Sequence, residues 1–213
     1  MTDIQPLLVA ETAGLVAALQ PLDDHSWCTP SLCDGWTVRD AVVHLLMPYE
    51  LSLPRFTIGL ARAGFSFDAL AARWARDDPR SPADALAALA DTLQRRFAVP
   101  GAPPEAPLSH LVIHTEDIVR PLGLVHRPGP AAARVVLDQT TSPRFRKSLP
   151  AGLLDGLAYR ATDVDWRFGD GAEVLGTASA LITTLAGRTA AIDELHGPGA
   201  PTVRARRAAL PAR

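Results

Sequence analysis

Two histidines, His110 and His114, stand four residues apart in the stretch Ser109–Gly123, SHLVIHTEDIVRPLG, in an apolar frame of Leu111, Val112, Ile113 and Ile118. On an α-helix that spacing stacks both imidazoles on one face, about one turn apart. Such a pair can fill two neighbouring positions around one metal ion, and His44 in WTVRDAVVHLL is the candidate for a third. Taken alone, an HxxxH pair on an apolar helix is more often two core imidazoles with satisfied hydrogen bonds. The third histidine, in a similar helix with an aspartate four residues ahead of it, shifts the reading to a divalent-metal site.

Carboxylates close to these histidines are the next chemistry-bearing residues. Asp117, three residues beyond His114, is expected to orient an imidazole from behind, as carboxylates commonly do for metal-bound histidines. Asp40, one turn before His44, has two open roles: the same service for His44, or capping the helix that Thr37 begins. Glu116 is expected to face water. Cys28 and Cys33, in CTPSLC, form no metal-binding pattern, and they are expected to be reduced, packed thiols that take no part in the chemistry.

The elements that must carry these residues are mostly helical. Leu7, Leu8, Leu15 and Leu19 predict a core-facing helix over Ile4–Leu19, stopped by Pro21. Thr37 is a natural N-cap for the His44 helix, with Asp40 completing a capping-box pattern and Pro48 and Pro54 expected to kink or break it. His25 falls in a loop. A short helix with Trp74 spans Asp68–Arg76, and Ser81 followed by Pro82 opens another to about Phe97. The stretch from Val99 is a loop leading into the His110 helix, which Pro121 and Gly123 end; a further helix follows Pro130. From Leu149 the pattern changes: strands over Leu157–Asp163 and Asp165–Phe168, a hairpin turn at Gly169–Gly171, then a helix from about Thr177 to Gly187.

Composition bounds the function. The 213 residues carry a net charge of −2 and are 47% hydrophobic, which excludes a disordered or strongly nucleic-acid-seeking chain. Lys147 is the one lysine, and the arginines of the tail (Arg204, Arg206, Arg207, Arg213) read as a solvated end. No apolar run approaches the ~20 residues that span a bilayer, and MTDIQPLL lacks a basic leader. The expectation is a cytoplasmic protein, monomer or homodimer, with small-molecule partners and neither nucleic acid nor membrane.

With those residues in place, LCDGWTVRDAVVHLL, HLVIHTEDIVRPLG and DVDWRFGDG…VLGTASALITTLAGR together resemble the mycothiol-dependent maleylpyruvate isomerase family, from about Val9 to Arg206. The resemblance implies a DinB-like metal-binding four-helix bundle over residues 1–147, a small α+β segment over 148–200 and a basic, flexible tail over 201–213. It implies a divalent metal, most often zinc, held between helices by three side chains, with His44 matching the first ligand and His114 the last. The isomerase's middle ligand is a glutamate where this chain has His110, so the site here would be one charge unit more positive. The implied chemistry is a transferase or isomerase reaction in which mycothiol, ionised at the open metal position, attacks a small electrophilic substrate. An acidic substrate would require a cation near the metal; Arg188 in LAGR is the first candidate and Arg120 the second. A metal-dependent hydrolase without thiol, and a non-catalytic metal-binding or ligand-sensing module, are the rival readings.

Overall fold

The computed structural model describes residues 3–95, 103–149 and 152–208. Ten α-helices and one three-stranded sheet lie among them. In order, they are α1 (Gln5–Leu19), α2 (Asp24–Trp27), α3 (Val38–Glu50), α4 (Leu53–Arg62), α5 (Phe67–Asp77), α6 (Pro82–Asp91), α7 (Ala106–Val119), α8 (Pro130–Thr140), β1 (Leu157–Ala161), β2 (Arg167–Phe168), β3 (Ala172–Gly176), α9 (Ala178–Leu185) and α10 (Ala200–Ala208). None of the described helices is long and apolar enough to cross a membrane.

Four helices close a ring: α1 packs on α6 and α7, and α3 packs on the same two. Their contact is an aliphatic core in which Leu15, Leu19, Leu46, Leu89, Leu108 and Ile118 are almost completely buried. Each such side chain contributes about 1.5–3 kcal/mol relative to remaining in water. Helix α5 flanks the outside of α3 and carries α4 on it; α8 lies on α7 and is itself covered by α9. One continuous buried cluster therefore runs from Leu8 of α1 to Val203 of α10.

The helix starts follow the expected chemistry. Thr37 and Asp40 form a complete capping box on α3, Ser81 caps α6, and Thr177 caps α9. Pro48 does not end α3, which continues to Glu50. It only removes the bond that would have ended on the His44 carbonyl. Pro54 sits in the first turn of α4, where its missing N–H costs nothing, so it begins a helix rather than breaking one. His25 lies in the short helix α2 and is exposed. Helix α6 stops at Asp91 and gives way to a 3-10 turn over Thr92–Gln94, while Phe97 and Val99 lie outside the described residues.

The sheet differs from the expected hairpin. The order is β2-β1-β3, with β1 antiparallel to β2 and parallel to β3. The tight reversal is thus the one between β1 and β2, and Gly169-Asp170-Gly171 instead carries the chain across the start of β1 to its other edge. Glycine is required there because φ is +82° at Gly169 and +129° at Gly171. A Cβ would stand 2.4 Å from the Leu157 carbonyl oxygen at the first and 2.1 Å from that of Gly156 at the second. β3, the edge strand beside β1, is an element that the alternation pattern did not reveal. The stretch expected as a flexible tail is helical through Ala208, because Val203 inserts into the core and Arg206 donates to the Gly152 and Asp155 carbonyls.

Helix α7 has no water face, being packed by α1, α3, α8 and α9. That overturns the expected exposure of Glu116, which is 1% exposed. Its carboxylate accepts from His126 Nδ1 at 2.8 Å, Arg120 Nε at 2.7 Å and Ser179 Oγ at 2.8 Å. His126 also donates through Nε2 to Glu11 of α1 at 3.2 Å, and the other Glu11 oxygen receives the Gly129 N–H at 2.8 Å. Burial alone would favour neutral His126, but the two carboxylates overcome it and lift its pKa to about 9.

Two outcomes follow. His126 is charged in the fold up to about pH 9 but only to about 6.5 when unfolded, so its contribution is complete below pH 6.5 and fades as pH rises through 9. Denaturant unfolding should show stability falling by about 3 kcal/mol across that interval, and His126→Gln should flatten the profile. Gly171→Ala should lower stability by about 3 kcal/mol, since positive φ and steric overlap act together; a melting temperature equal to that of the parent chain would contradict the crossover geometry.

Candidate metal centre

The three histidines converge. His110 and His114 lie on one face of α7, and His44 points at them from the neighbouring α3, so that all three ring centroids are 4.8 Å apart in each pair. One nitrogen from each ring lies within 4.8 Å of the others. His110 Nε2 and His44 Nε2 are 3.0 Å apart. Two nitrogens bound at ~2.0–2.1 Å in a tetrahedron would stand roughly 3.3 Å apart, so the donor spacing fits a small divalent ion with little adjustment.

Protonation favours the same use. Burial, reinforced by His114, pushes His44 down to about 3, and burial together with the neighbouring imidazoles holds His110 well below its ordinary value. Both rings are therefore neutral at physiological pH, the form in which imidazole ligates. His44 Nδ1 is buried and has no hydrogen-bond partner among the described residues. Asp40 does not supply one: its Oδ2 receives the Thr37 N–H at 3.0 Å and hydroxyl at 2.9 Å, while Oδ1 receives Arg39 at 3.2 Å. Of its two possible roles Asp40 takes the cap, because the capping box draws the carboxylate back toward the helix start.

Asp117 lies behind His114. Its Oδ2 accepts from His114 Nδ1 at 2.9 Å, which leaves the His114 Nε2 lone pair facing the other two rings. Arg188, following α9, grips the same carboxylate with Nε to Oδ1 at 2.8 Å and Nη2 to Oδ2 at 2.6 Å. Burial would raise the Asp117 pKa, but the bonds from His114 and Arg188 and the guanidinium charge hold it below the usual carboxylate range.

The two arginines part company here. Arg188 is at the site, but its guanidinium is committed to Asp117 and to the Ala186 carbonyl. Arg120 is not in the site: it donates to Glu116, Thr183, Ser179 and Glu194. Helical geometry explains the split. At about 100° per residue, His114 and Asp117 lie within 40° of His110 around α7, whereas Arg120 lies about 80° away on the side facing α9.

Two neighbours were missed. Trp36 lies 4.8 Å from the His44 ring and stacks at 6.5 Å on His114. Cys33, expected to stand apart, has its Sγ 3.2 Å from Asp117 Oδ2 and 3.6 Å from His114 Nδ1. Cys28 is exposed rather than packed; neither cysteine is in a disulfide. Cys33, His114 and Asp117 form a second set with ligand-like spacing, but the Arg188 guanidinium already occupies the carboxylate there, which disfavours a cation. A signal for Cys33 and Trp36 was available in their closeness to the α3 cap, which ties their loop to the His44 helix.

Residues 8–127 match the family described as the mycothiol maleylpyruvate isomerase N-terminal domain. Two solved structures resemble the chain, the mycothiol-dependent maleylpyruvate isomerase and a histidine-to-alanine variant of it, with TM-scores of 0.60 and 0.61. Each is 16% identical and covers 92% of both chains, a likeness of fold. No curated protein sequence matches. A match over more than half of its length, spanning α3 and α7 with their three histidines, places this chain in the mycothiol maleylpyruvate isomerase family.

Proposed function

We propose that this protein is a metal- and mycothiol-dependent enzyme that isomerises, or transfers the thiol to, a small electrophilic substrate. The observation that carries the reading is the triangle of imidazoles from His44, His110 and His114 in a chain of this family. Zinc bound there would supply an open position and a positive charge, at which the thiol of mycothiol would lose its proton and become a nucleophilic sulfur.

The chain's own residues divide the remaining work. His44, His110 and His114 would hold the ion through one ring nitrogen each, and no carboxylate joins the set to offset its charge. Asp117 holds the Nδ1 proton of His114 and so keeps Nε2 available, and Arg188 keeps Asp117 ionised and fixed in place. Trp36 packs beside the His44 and His114 rings. With Arg120 engaged elsewhere, Arg188, 25% exposed and bound to the carboxylate behind His114, would meet an acidic substrate only through donors not already held by Asp117.

Elemental analysis of freshly purified protein should find about one divalent ion per chain. His44→Ala and His110→Ala should each weaken binding by a factor of 100 or more relative to the 10–100-fold typical of losing a supporting residue. Retention of metal at parental affinity in both variants would refute the ligand assignment. Mycothiol binding to the loaded protein should release one proton, read by calorimetry in buffers of different ionisation enthalpy. Substrate turnover without thiol, and no proton release at saturating thiol, would favour hydrolysis by metal-bound water.

A further inference from the structure

We propose that Cys33 is a positioning residue for the metal centre: its S–H donates to Asp117 Oδ2 and thereby fixes the carboxylate that orients His114. The inference rests on the three-histidine reading of the site and adds to it a residue outside the ligand set. Asp117 Oδ2 has three donors, His114 Nδ1 at 2.9 Å, Arg188 Nη2 at 2.6 Å and Cys33 Sγ at 3.2 Å. Arg188 donates to both oxygens of the carboxylate, and its Nη2 also reaches the Cys33 sulfur at 3.8 Å. The thiol contacts the carboxylate from a different element, and its Sγ, 3.6 Å from His114 Nδ1, fills the corner between ring and carboxylate.

The sulfur has the right character for this work. It is partly buried, and at 3.2 Å from a carboxylate oxygen that can only accept, its S–H is the donor of the pair. The loop that carries it is built to hold it still. Ser31 N–H donates to the Trp36 carbonyl at 2.8 Å, Val38 N–H to that of Thr29 at 2.8 Å, and Cys33 N–H to Ser31 Oγ at 3.2 Å. Gly35 makes the reversal at φ +74°. The loop is also docked directly on α7, where Leu32 N–H donates to the Asp117 carbonyl at 3.0 Å, one of the helix-end carbonyls that lacks an intrahelical donor. One rigid loop thus brings Cys33 against Asp117 and Trp36 against His44 and His114.

The test compares Cys33→Ala with Cys33→Ser, which keeps a hydroxyl donor. In metal-free protein, nitrogen-15 NMR of the imidazoles should show His114 as the Nδ1–H tautomer. Cys33→Ala should speed exchange of that proton by about 10-fold, and Cys33→Ser should restore it to within about 2-fold. Cobalt(II) titration should give the same order, with affinity lowered about 10-fold in the Ala variant and its visible absorption shifted. Thermal unfolding reports the fold independently, and Cys33→Val replaces Cys33→Ala if the latter does not fold. Parental exchange and cobalt affinity in the Ala variant, or a Ser variant as impaired as Ala, would overturn the proposal. If the parent binds no cobalt yet the exchange difference persists, the metal reading falls while Cys33's hold on His114 stands.

Discussion

A carboxylate buried at the end of α7 organises this molecule. Asp117 is fully buried, and an ionised group in that position is tolerated only if donors replace the water it has lost. They come from three places in the chain: His114 on its own helix, Arg188 beyond α9 and Cys33 ahead of α3. Removing one charged partner from such a pair typically costs about 3–5 kcal/mol. Satisfying Asp117 therefore joins the C-terminal segment to the bundle and orients His114 in the same act. The imidazole triangle and the docking of α9 are parts of one arrangement.

Two faces of α7 show how environment decides what a histidine is. On the face toward α3, His44 and His110 have each other and an apolar surround, and both are held neutral. On the side toward α1 and α9, His126 lies between Glu11 and Glu116 and is held charged. The same side chain serves as an electron-pair donor in one cluster and as a cationic brace in the other. The brace matters for the site because α1, α7 and α9 are the elements it ties together, and α7 carries two of the three candidate ligands.

What could be read from the sequence followed short-range rules. The HxxxH spacing placed His110 and His114 on one face, Thr37 and Ser81 announced helix starts, and Asp117 at three residues from His114 was within reach of its ring. Failures came where a long-range contact decided the outcome. Glu116 was read as solvated because a bundle helix ordinarily has a wet face, whereas α7 is surrounded. Asp40 could orient His44 or cap α3, and only the position of its carboxylate separates the two. The glycines at 169 and 171 signalled a turn, but whether the chain turned back or crossed β1 depended on which edge the next strand would join. Cys33 lies 84 residues from Asp117, beyond the range of any local pattern.

The central claim is that three imidazoles hold one divalent ion with a position open to sulfur. X-ray absorption spectroscopy of the zinc-loaded protein tests it most directly, before and after addition of mycothiol. The account predicts scattering from three imidazole nitrogens at ~2.0–2.1 Å, joined on thiol addition by one sulfur at ~2.3 Å. A first shell with fewer than three imidazoles, or one that acquires no sulfur at saturating mycothiol, would contradict it.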